Sequence, residues 1–132
     1  MIAHYDLVVP VVPPSFNEYL RWHWAKQSRE REEWQKYIWA YLNERGHRCP
    51  RGAARVELHA VLFFDKKRRR DSDNFSMPLW KWTQDALVHN KIILDDNAER
   101  CTSHVPKIVS GEKLMTVVSL DLTMEGAINE AR

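Results

Sequence analysis

The sequence lacks the features of a disulfide-rich protein, a membrane-spanning protein or a secreted protein. Its 132 residues include two cysteines, Cys49 and Cys101, which excludes a disulfide-stapled miniprotein. No apolar run approaches the roughly 20 residues that a bilayer-spanning helix needs. The first residues have neither the cationic nor the apolar region of a secretory signal peptide. We therefore expect a reducing, cytoplasmic setting and no membrane partner.

A large excess of charge of one sign is also absent. Lys and Arg number 20 against 18 Asp and Glu, for a formal net charge of +2. This balance excludes a disordered polyelectrolyte and leaves any basic surface to local clustering. Hydrophobic residues make up 44% of the chain, enough for a core. The length predicts one domain over residues 1–132, with residues 125–132 as a loose tail.

Hydrophobic patterning predicts four strands and two helices. The first helix is expected to begin at Ser28 as N-cap and to stop near Gly46. Pro106 places the third strand at a sheet edge or makes it irregular. The strands are predicted over residues 4–9, 54–64, 102–109 and 114–122. The order β-α-β-α-β-β predicts an α/β (α+β) fold, a mixed sheet with helices packed on it.

The second predicted helix extends to about Leu87 and carries a buried stripe. Its apolar residues follow the i, i+4, i+7, i+11 spacing of one helix face, and they are Phe75, Leu79, Trp82 and Ala86. Pro78 fits if the helix starts near Ser76, where a missing N–H costs nothing, or if the helix is kinked. Trp82 is thus assigned to the core, and Trp80, which points elsewhere, is a candidate for stacking on unpaired bases.

Five consecutive cations precede this helix: Lys66, Lys67, Arg68, Arg69 and Arg70. Adjacent like charges repel one another, so an anionic partner should offset them. Guanidinium groups bind phosphate oxygens in a bidentate manner, which favours a nucleic-acid backbone as that partner. A solvated cluster of surface salt bridges is the alternative, since Asp71 and Asp73 follow immediately.

Asp71 and Asp73 alternate with Ser72 directly after the basic run. In an extended segment their side chains point the same way, about 6–7 Å apart, and can hold a hard divalent cation. Such a pair alone is weak evidence, because it is also common in turns and N-caps. Asp95 and Asp96 are the other acidic pair, and a helix only about 18 Å long allows the chain to return to the same sheet edge. These carboxylates beside a basic loop predict a Mg²⁺-dependent phosphodiesterase site.

The same residues in order resemble a known family, the RusA-type Holliday-junction resolvases of bacteria and phages. The resemblance covers roughly residues 5 to 122. Val105-x-Lys107 fits it, and Pro13-Pro14-Ser15-Phe16-Asn17 is similar to the family's Pro-Pro-Ser-x-Asn opening. Its main motifs are Arg68-Arg69-Arg70-Asp71-Ser72-Asp73-Asn74, Lys81, Asp85-Ala86-Leu87 and Asp95-Asp96.

The resemblance implies a metal-dependent endonuclease that resolves four-way junctions by paired symmetric nicks. It implies Mg²⁺ (with Mn²⁺ as a substitute) on Asp71, Asp73 and Asp96, with Asp95 beside them, and Lys81 as a further catalytic residue. It also implies a homodimer on branched DNA, without a small-molecule cofactor. The implied DNA-binding residues are Lys66, Lys67, Arg68, Arg69, Arg70 and Lys107. A flap- or fork-selective nuclease and a non-catalytic DNA-binding module are the alternatives.

The lysine departs from the family's spacing. The family places it four residues after the second Asp, where this chain has Met77, and Lys81 follows four residues later. If the extra turn is helical, Lys81 moves about 6 Å along the axis and rotates by only about 40°. If the turn loops out before Pro78, the family geometry survives, and the proline favours this looped or kinked version. Lys81 and Asp85 are also spaced for a simple i, i+4 helix pair.

A zinc site is a further alternative. His47, Cys49, Cys101 and His104 can in principle supply a Cys₂His₂ set. The two halves are far apart in sequence, and the one-residue spacer of the first half is unusual for zinc hairpins. Reduced, partly buried cysteines are the favoured interpretation.

Overall fold

Five strands form a mixed sheet, and the helices lie against one of its faces. A computed structural model describes residues 2–44, 48–95 and 97–124. The elements in chain order are β1 Ile2–Val9, α1 Phe16–Arg21, α2 Trp24–Asn43, β2 Arg55–Phe64, a 3₁₀ helix Ser72–Phe75, α3 Ser76–His89, β3 Cys101–Ser103, β4 Lys107–Ser110 and β5 Met115–Thr123. The predicted α+β class is confirmed, with the short α1 and one further strand added to the predicted order.

The sheet has the order β1-β5-β2-β3, and β4 also pairs with β2. β5 is antiparallel to both β1 and β2, whereas β3 and β4 are parallel to β2. β5 occupies one edge of β2. The other edge of β2 is shared by β3 and β4, which lie end to end along it. The interruption falls at residues 104–106, where Pro106 has no N–H to donate. The strand predicted over residues 102–109 is therefore broken in two, which agrees with the expected irregularity.

The core lies between this sheet and helices α2 and α3. The alternating residues of β2 are buried on the helix side, as their period of two predicts. The predicted stripe of α3 is buried as well, and the Trp34 and Trp82 rings lie 6.4 Å apart where α2 meets α3. The other side of the sheet, called the open face below, carries exposed or half-buried residues that include His4, Asp6, Glu57, His59 and Asp121.

Helix α2 begins earlier than predicted. His23 is its N-cap, and the Nδ1 atom of that ring accepts a hydrogen bond from the backbone N–H of Ala25 at 3.2 Å. The prediction of Ser28 as N-cap is wrong, because a histidine ring can satisfy the same orphan N–H group that a serine hydroxyl usually does. The helix ends at Asn43. The predicted stop, Gly46, and the predicted tail, residues 125–132, lie outside the described residues.

The chain from Ser72 to His89 is helical throughout. The 3₁₀ helix leads directly into α3, which begins at Ser76, so Pro78 is the third residue of α3. At that position its missing N–H would have had no partner inside the helix. The start near Ser76 is confirmed, and the looped version of the extra turn is wrong. Lys81 therefore lies one helical turn beyond Met77.

Candidate nucleic-acid interface

The basic segment forms an exposed loop after β2, and Arg70 holds it in shape. The Arg70 guanidinium lies 3.9 Å from the centre of the Phe64 ring. Its Nη1 donates to the Lys66 carbonyl at 3.0 Å. These contacts fold the loop back on the end of β2, so Arg70 is engaged within the protein. The other four cations, Lys66, Lys67, Arg68 and Arg69, are exposed and available to an anionic partner.

Asp71 caps the 3₁₀ helix. Its Oδ1 accepts a hydrogen bond from the backbone N–H of Asp73 at 3.1 Å. Asp73 lies inside that helix, so the expectation of an extended segment with both carboxylates pointing one way is wrong. The physical reason is that an Asp side chain readily accepts a hydrogen bond from the backbone N–H two residues later. This bond stabilises the start of a helix relative to a continued strand. Both carboxylates remain exposed.

A groove of about 660 Å³ lies between the basic loop and the start of the helical layer. Two segments that carry the family resemblance, residues 13–17 and 68–74, both contribute to its walls, together with Glu30 and Glu33 of α2. The two segments touch there, because the backbone N–H of Asn17 donates to Oδ1 of Asn74 at 3.3 Å. From those segments the lining residues are Pro13, Pro14, Ser15, Asn17, Arg68, Arg69, Arg70, Asp71 and Asn74.

Asp73 and Lys81 line a second, shallower depression of about 460 Å³. Asn74 lines both cavities, whereas Asp71 lines only the first and Asp73 and Lys81 line only the second. Lys81 Nζ lies 3.2 Å from Oδ1 of Asp85, which is the i, i+4 pair that its spacing allowed. Lys81 is exposed, so this pairing is weak and leaves the ammonium group able to approach a phosphate.

Asp95, the described member of the second acidic pair, lies toward the other end of β2 and not at the end that leads to Asp71. Ile93 forms a parallel bridge with Ala53, just before β2 begins, whereas Asp71 follows the end of that strand. Ten residues of strand span about 33 Å. Asp95 accepts a hydrogen bond from Nδ2 of Asn97 at 3.2 Å. Within residues 2–44, 48–95 and 97–124, Asp71, Asp73 and Asp95 are not close enough together to form a group of three metal ligands. Asp96 lies outside the described residues.

Two further predicted contacts lie away from the groove. Lys107 pairs with Val61 across β4 and β2, which places it on the open face of the sheet. Trp80 is buried, and its indole N–H donates to the His104 carbonyl at 2.8 Å. The expectation that Trp80 stacks on bases is therefore wrong, because its ring is used for packing α3 against the chain after β3. The assignment of Trp82 to the core is confirmed.

The cysteines do not assemble with His104 into a metal site among the described residues. Cys101 is buried in β3 and Cys49 is half-buried, and neither forms a disulfide. Burial raises the pKa of the Cys49 thiol to about 11, so the thiolate that zinc requires is disfavoured. His47 lies outside the described residues.

None of the helices within residues 2–44, 48–95 and 97–124 has the length and apolar character of a membrane span.

A cluster that the sequence did not reveal lies on the open face. Glu57, His59 and His104 place three ligand atoms within 4.8 Å of one another. Glu57 and His59 alternate on the exposed side of the predicted strand, which was a usable signal. His104 could not be added from sequence, because its position depends on the parallel pairing of β3 with β2.

No protein-family model matches this chain. No curated protein matches it either. The likeness to RusA-type resolvases therefore rests on the sequence motifs quoted above alone.

The donor set beside the basic loop suits a hard cation. Asp71 and Asp73 offer exposed carboxylate oxygens at one helix start. Magnesium is commonly held by one or two carboxylates, several waters and the phosphate of a substrate. These residues therefore fit Mg²⁺ in chemistry, and they do not suit a softer, thiolate-preferring metal.

Proposed function

We propose that this protein is a metal-dependent endonuclease that acts on branched DNA, in the manner of the RusA-type resolvases. The contact between Asn17 and Asn74 carries the proposal. It brings the Pro-Pro-Ser-x-Asn and Asp-x-Asp-Asn segments, 57 positions apart, to one groove beside an exposed basic loop.

The charges at this groove suit a phosphate backbone. Arg68 and Arg69 line the groove, are exposed, and carry guanidinium groups that bind phosphate oxygens in pairs. Lys66 and Lys67 extend the positive surface along the loop. Glu30 and Glu33 on the facing helix keep the groove from being uniformly basic. Such a surface favours binding of the DNA phosphate backbone along the basic loop over binding of that backbone inside the groove.

Each acidic and basic residue then has a distinct task. Asp71 and Asp73 would hold Mg²⁺, and the resemblance adds Asp96, which lies outside the described residues, and Asp95, which the structure places toward the other end of β2. The ion, when bound, supplies an activated water and stabilises charge on the phosphodiester. Lys81, in the same depression as Asp73, neutralises the scissile phosphate. Two copies of the chain about a two-fold axis would nick opposed strands of a junction symmetrically.

The test compares three synthetic DNAs with matched variants. A four-way junction, a flap and a linear duplex are incubated with the protein in Mg²⁺ or in EDTA. We expect symmetric nicks confined to the junction and dependent on Mg²⁺. Asp73→Asn should abolish cleavage while junction binding persists. Asp65→Asn, an exposed aspartate at the start of the loop, makes the same change of charge and should leave cleavage intact. Full cleavage by Asp73→Asn would refute the assignment.

Binding is tested separately through its dependence on salt. Each cationic contact to phosphate releases counterions, so affinity should fall steeply with salt concentration. Arg68→Gln should weaken binding to all DNAs and reduce the slope of log K against log salt by about 1. Arg31→Gln, an exposed arginine on α2, is the matched control and should change neither.

A non-catalytic DNA-binding module is the second candidate. It is favoured by the finding that Asp71, Asp73 and Asp95 do not meet in the described part of the chain. Salt-sensitive binding to the junction without any cleavage in Mg²⁺ or Mn²⁺ would support this candidate against the nuclease. Preferential cutting of the flap would instead keep the chemistry and change the substrate.

A further inference from the structure

Glu57, His59 and His104 converge on the open face of the sheet, away from the groove. The Nε2 atom of His59 lies 3.0 Å from Oε1 of Glu57. The Nε2 atom of His104 lies 3.3 Å from the same oxygen. We propose that these three side chains form a binding site for a divalent transition-metal ion, with Zn²⁺ as the preferred ion. The proposal does not depend on the nuclease function.

The spacing of the ligand atoms suits zinc. Zinc binds imidazole nitrogen and carboxylate oxygen at about 2.0–2.2 Å, so two ligand atoms of a tetrahedral site lie about 3.3 Å apart. The two separations from the Glu57 oxygen are 3.0 and 3.3 Å. Two imidazoles and one carboxylate also leave a fourth position for water. This donor set distinguishes the site from Asp71 and Asp73, whose oxygens suit Mg²⁺.

The sheet fixes the ligands to two hydrogen-bonded strands. Glu57 and His59 are two residues apart on β2, so their side chains share a face. The parallel register pairs Glu57 with Thr102 and Leu58 with Ser103, which brings His104 beside His59. The His104 backbone is held from both sides, because its N–H donates to the Leu58 carbonyl and its carbonyl accepts from Trp80. Little backbone order remains to be gained on binding.

The imidazole rings have room to turn onto an ion. The His59 and His104 rings are stacked with centroids 4.2 Å apart and an interplanar angle of 6°. Parallel rings direct their Nε2 lone pairs side by side, so coordination of one ion requires at least one ring to rotate out of the stack. The side chains are 47% and 44% exposed, which leaves that rotation free.

The charges around this site are mixed, since Arg55 lies two residues before Glu57 on the same face of β2 and Lys107 pairs with Val61, two residues after His59. Asp121 lies opposite Glu57 in the antiparallel register of β5 and β2. Its carboxylate is bound by His4, whose two ring nitrogens face two different carboxylates, Asp121 and Asp6. Both ring nitrogens of His4 are therefore engaged with carboxylates other than Glu57. This difference makes it a matched control on the same face.

Calorimetric titration of the full chain with ZnCl₂, and separately with MgCl₂, tests the proposal under reducing conditions. We expect one Zn²⁺ per chain, with no Mg²⁺ binding to this site. His59→Gln and His104→Gln should each weaken Zn²⁺ binding by about tenfold or more. His4→Gln should leave it unchanged. Long-range ¹H–¹⁵N spectra should show the Nε2 resonances of His59 and His104 shifting together on addition of Zn²⁺.

Three results would overturn the site. The first is wild-type zinc affinity in the His59→Gln and His104→Gln variants. The second is an equal loss in His4→Gln, which would show binding scattered over the histidines of this face. The third is loss of the site in a Cys49→Ser, Cys101→Ser variant, which would assign the ion to thiolates. The substituted histidines are all exposed, and circular dichroism checks that each histidine or cysteine variant remains folded.

Discussion

The backbone N–H of Asn17 donates a hydrogen bond to the side-chain oxygen of Asn74 across 3.3 Å. Asn17 is the second residue of α1, where backbone N–H groups have no partner inside the helix. Asn74 lies in the 3₁₀ helix that follows the basic loop. The contact therefore joins the start of α1 to the segment that carries Asp71 and Asp73, at the wall of the groove.

Asn74→Ala removes the acceptor of this contact. We expect the free energy of unfolding to fall by about 0.5–1.5 kcal/mol, the usual net contribution of one hydrogen bond. Junction affinity should fall as well, because α1 is no longer held against the loop. Asn74→Asp is the matched control for stability alone, since it retains an acceptor oxygen at the same place but adds a negative charge that itself weakens DNA binding. Urea denaturation and junction binding measure both effects, and equal stability in Asn74→Ala and wild type would contradict the prediction.

Thr83 and Trp34 form a hydrogen bond within the core. The Trp34 indole N–H donates to the Thr83 hydroxyl at 3.1 Å, and Thr83 is fully buried. Thr83→Val keeps the shape but leaves the indole N–H without a partner, which should cost about 1–3 kcal/mol of stability. In a Trp34→Phe background the same change should cost less, with a coupling of about 0.5 kcal/mol or more. Urea denaturation of the four proteins gives the coupling, and additive effects would argue against it.

The strand alternation and the helix stripe could be read from the sequence because they depend on local period alone. Leu58 and Leu62 are fully buried on β2, and Leu79 is fully buried on α3, as those periods require. The helix start was missed because His23 is an unusual cap. Asp71 was misjudged because its carboxylate bonds its own chain two residues on, and an Asp-x-Asp pattern looks the same in a turn as in a strand.

The candidate sites depend on pairing that no local pattern reveals. The meeting of Asn17 with Asn74 and the stacking of His59 on His104 both join residues distant in sequence. Trp80 lies off the predicted buried stripe, but the chain after β3 covers it. Pro78 is tolerated in the helical turn before Lys81 because it is near the start of α3, where backbone N–H groups have no partner inside the helix.

Lys81→Met separates a structural role from a catalytic one. The exposed pair with Asp85 should contribute less than about 0.5 kcal/mol to stability. If Lys81 neutralises the scissile phosphate, cleavage should fall by at least about tenfold, equivalent to about 1.4 kcal/mol of transition-state stabilisation. Lys36→Met, an exposed lysine on α2, is the control for lost charge. A cleavage rate unchanged in Lys81→Met would leave the helix pair as its only role.

His4 should make stability depend on pH. The hydrogen bond that the His4 ring donates to the Asp121 carboxylate, aided by the charge of Asp6, raises the pKa of His4 above 6.5. A raised pKa means that the folded state binds the proton more tightly, so this contribution is fully present below pH 6.5. It is lost as the pH rises through the raised pKa.

The difference in urea midpoint between wild type and His4→Gln should therefore be largest in mildly acidic solution. It should shrink as the pH is raised above 6.5, the unperturbed value. A midpoint difference that stays constant across the neutral range would contradict the linkage. An NMR titration of the His4 ring, compared with the same ring in Asp121→Asn, reports the cause directly, because removing the charged partner should lower the pKa of His4.

Cys49 should react slowly with alkylating agents at neutral pH. Burial raises its pKa to about 11, opposed only in part by the nearby Arg51. The thiolate is the reactive form, so the rate should increase about tenfold per pH unit from pH 8 to pH 10 without a plateau. Peptide mapping by mass spectrometry after iodoacetamide treatment separates Cys49 from Cys101. Urea-unfolded protein is the reference, in which Cys49 should react much faster at pH 8 because water solvates its thiolate. Equal rates in folded and unfolded protein would show that the thiol is already solvated in the fold, and the burial of Cys49 would then be wrong.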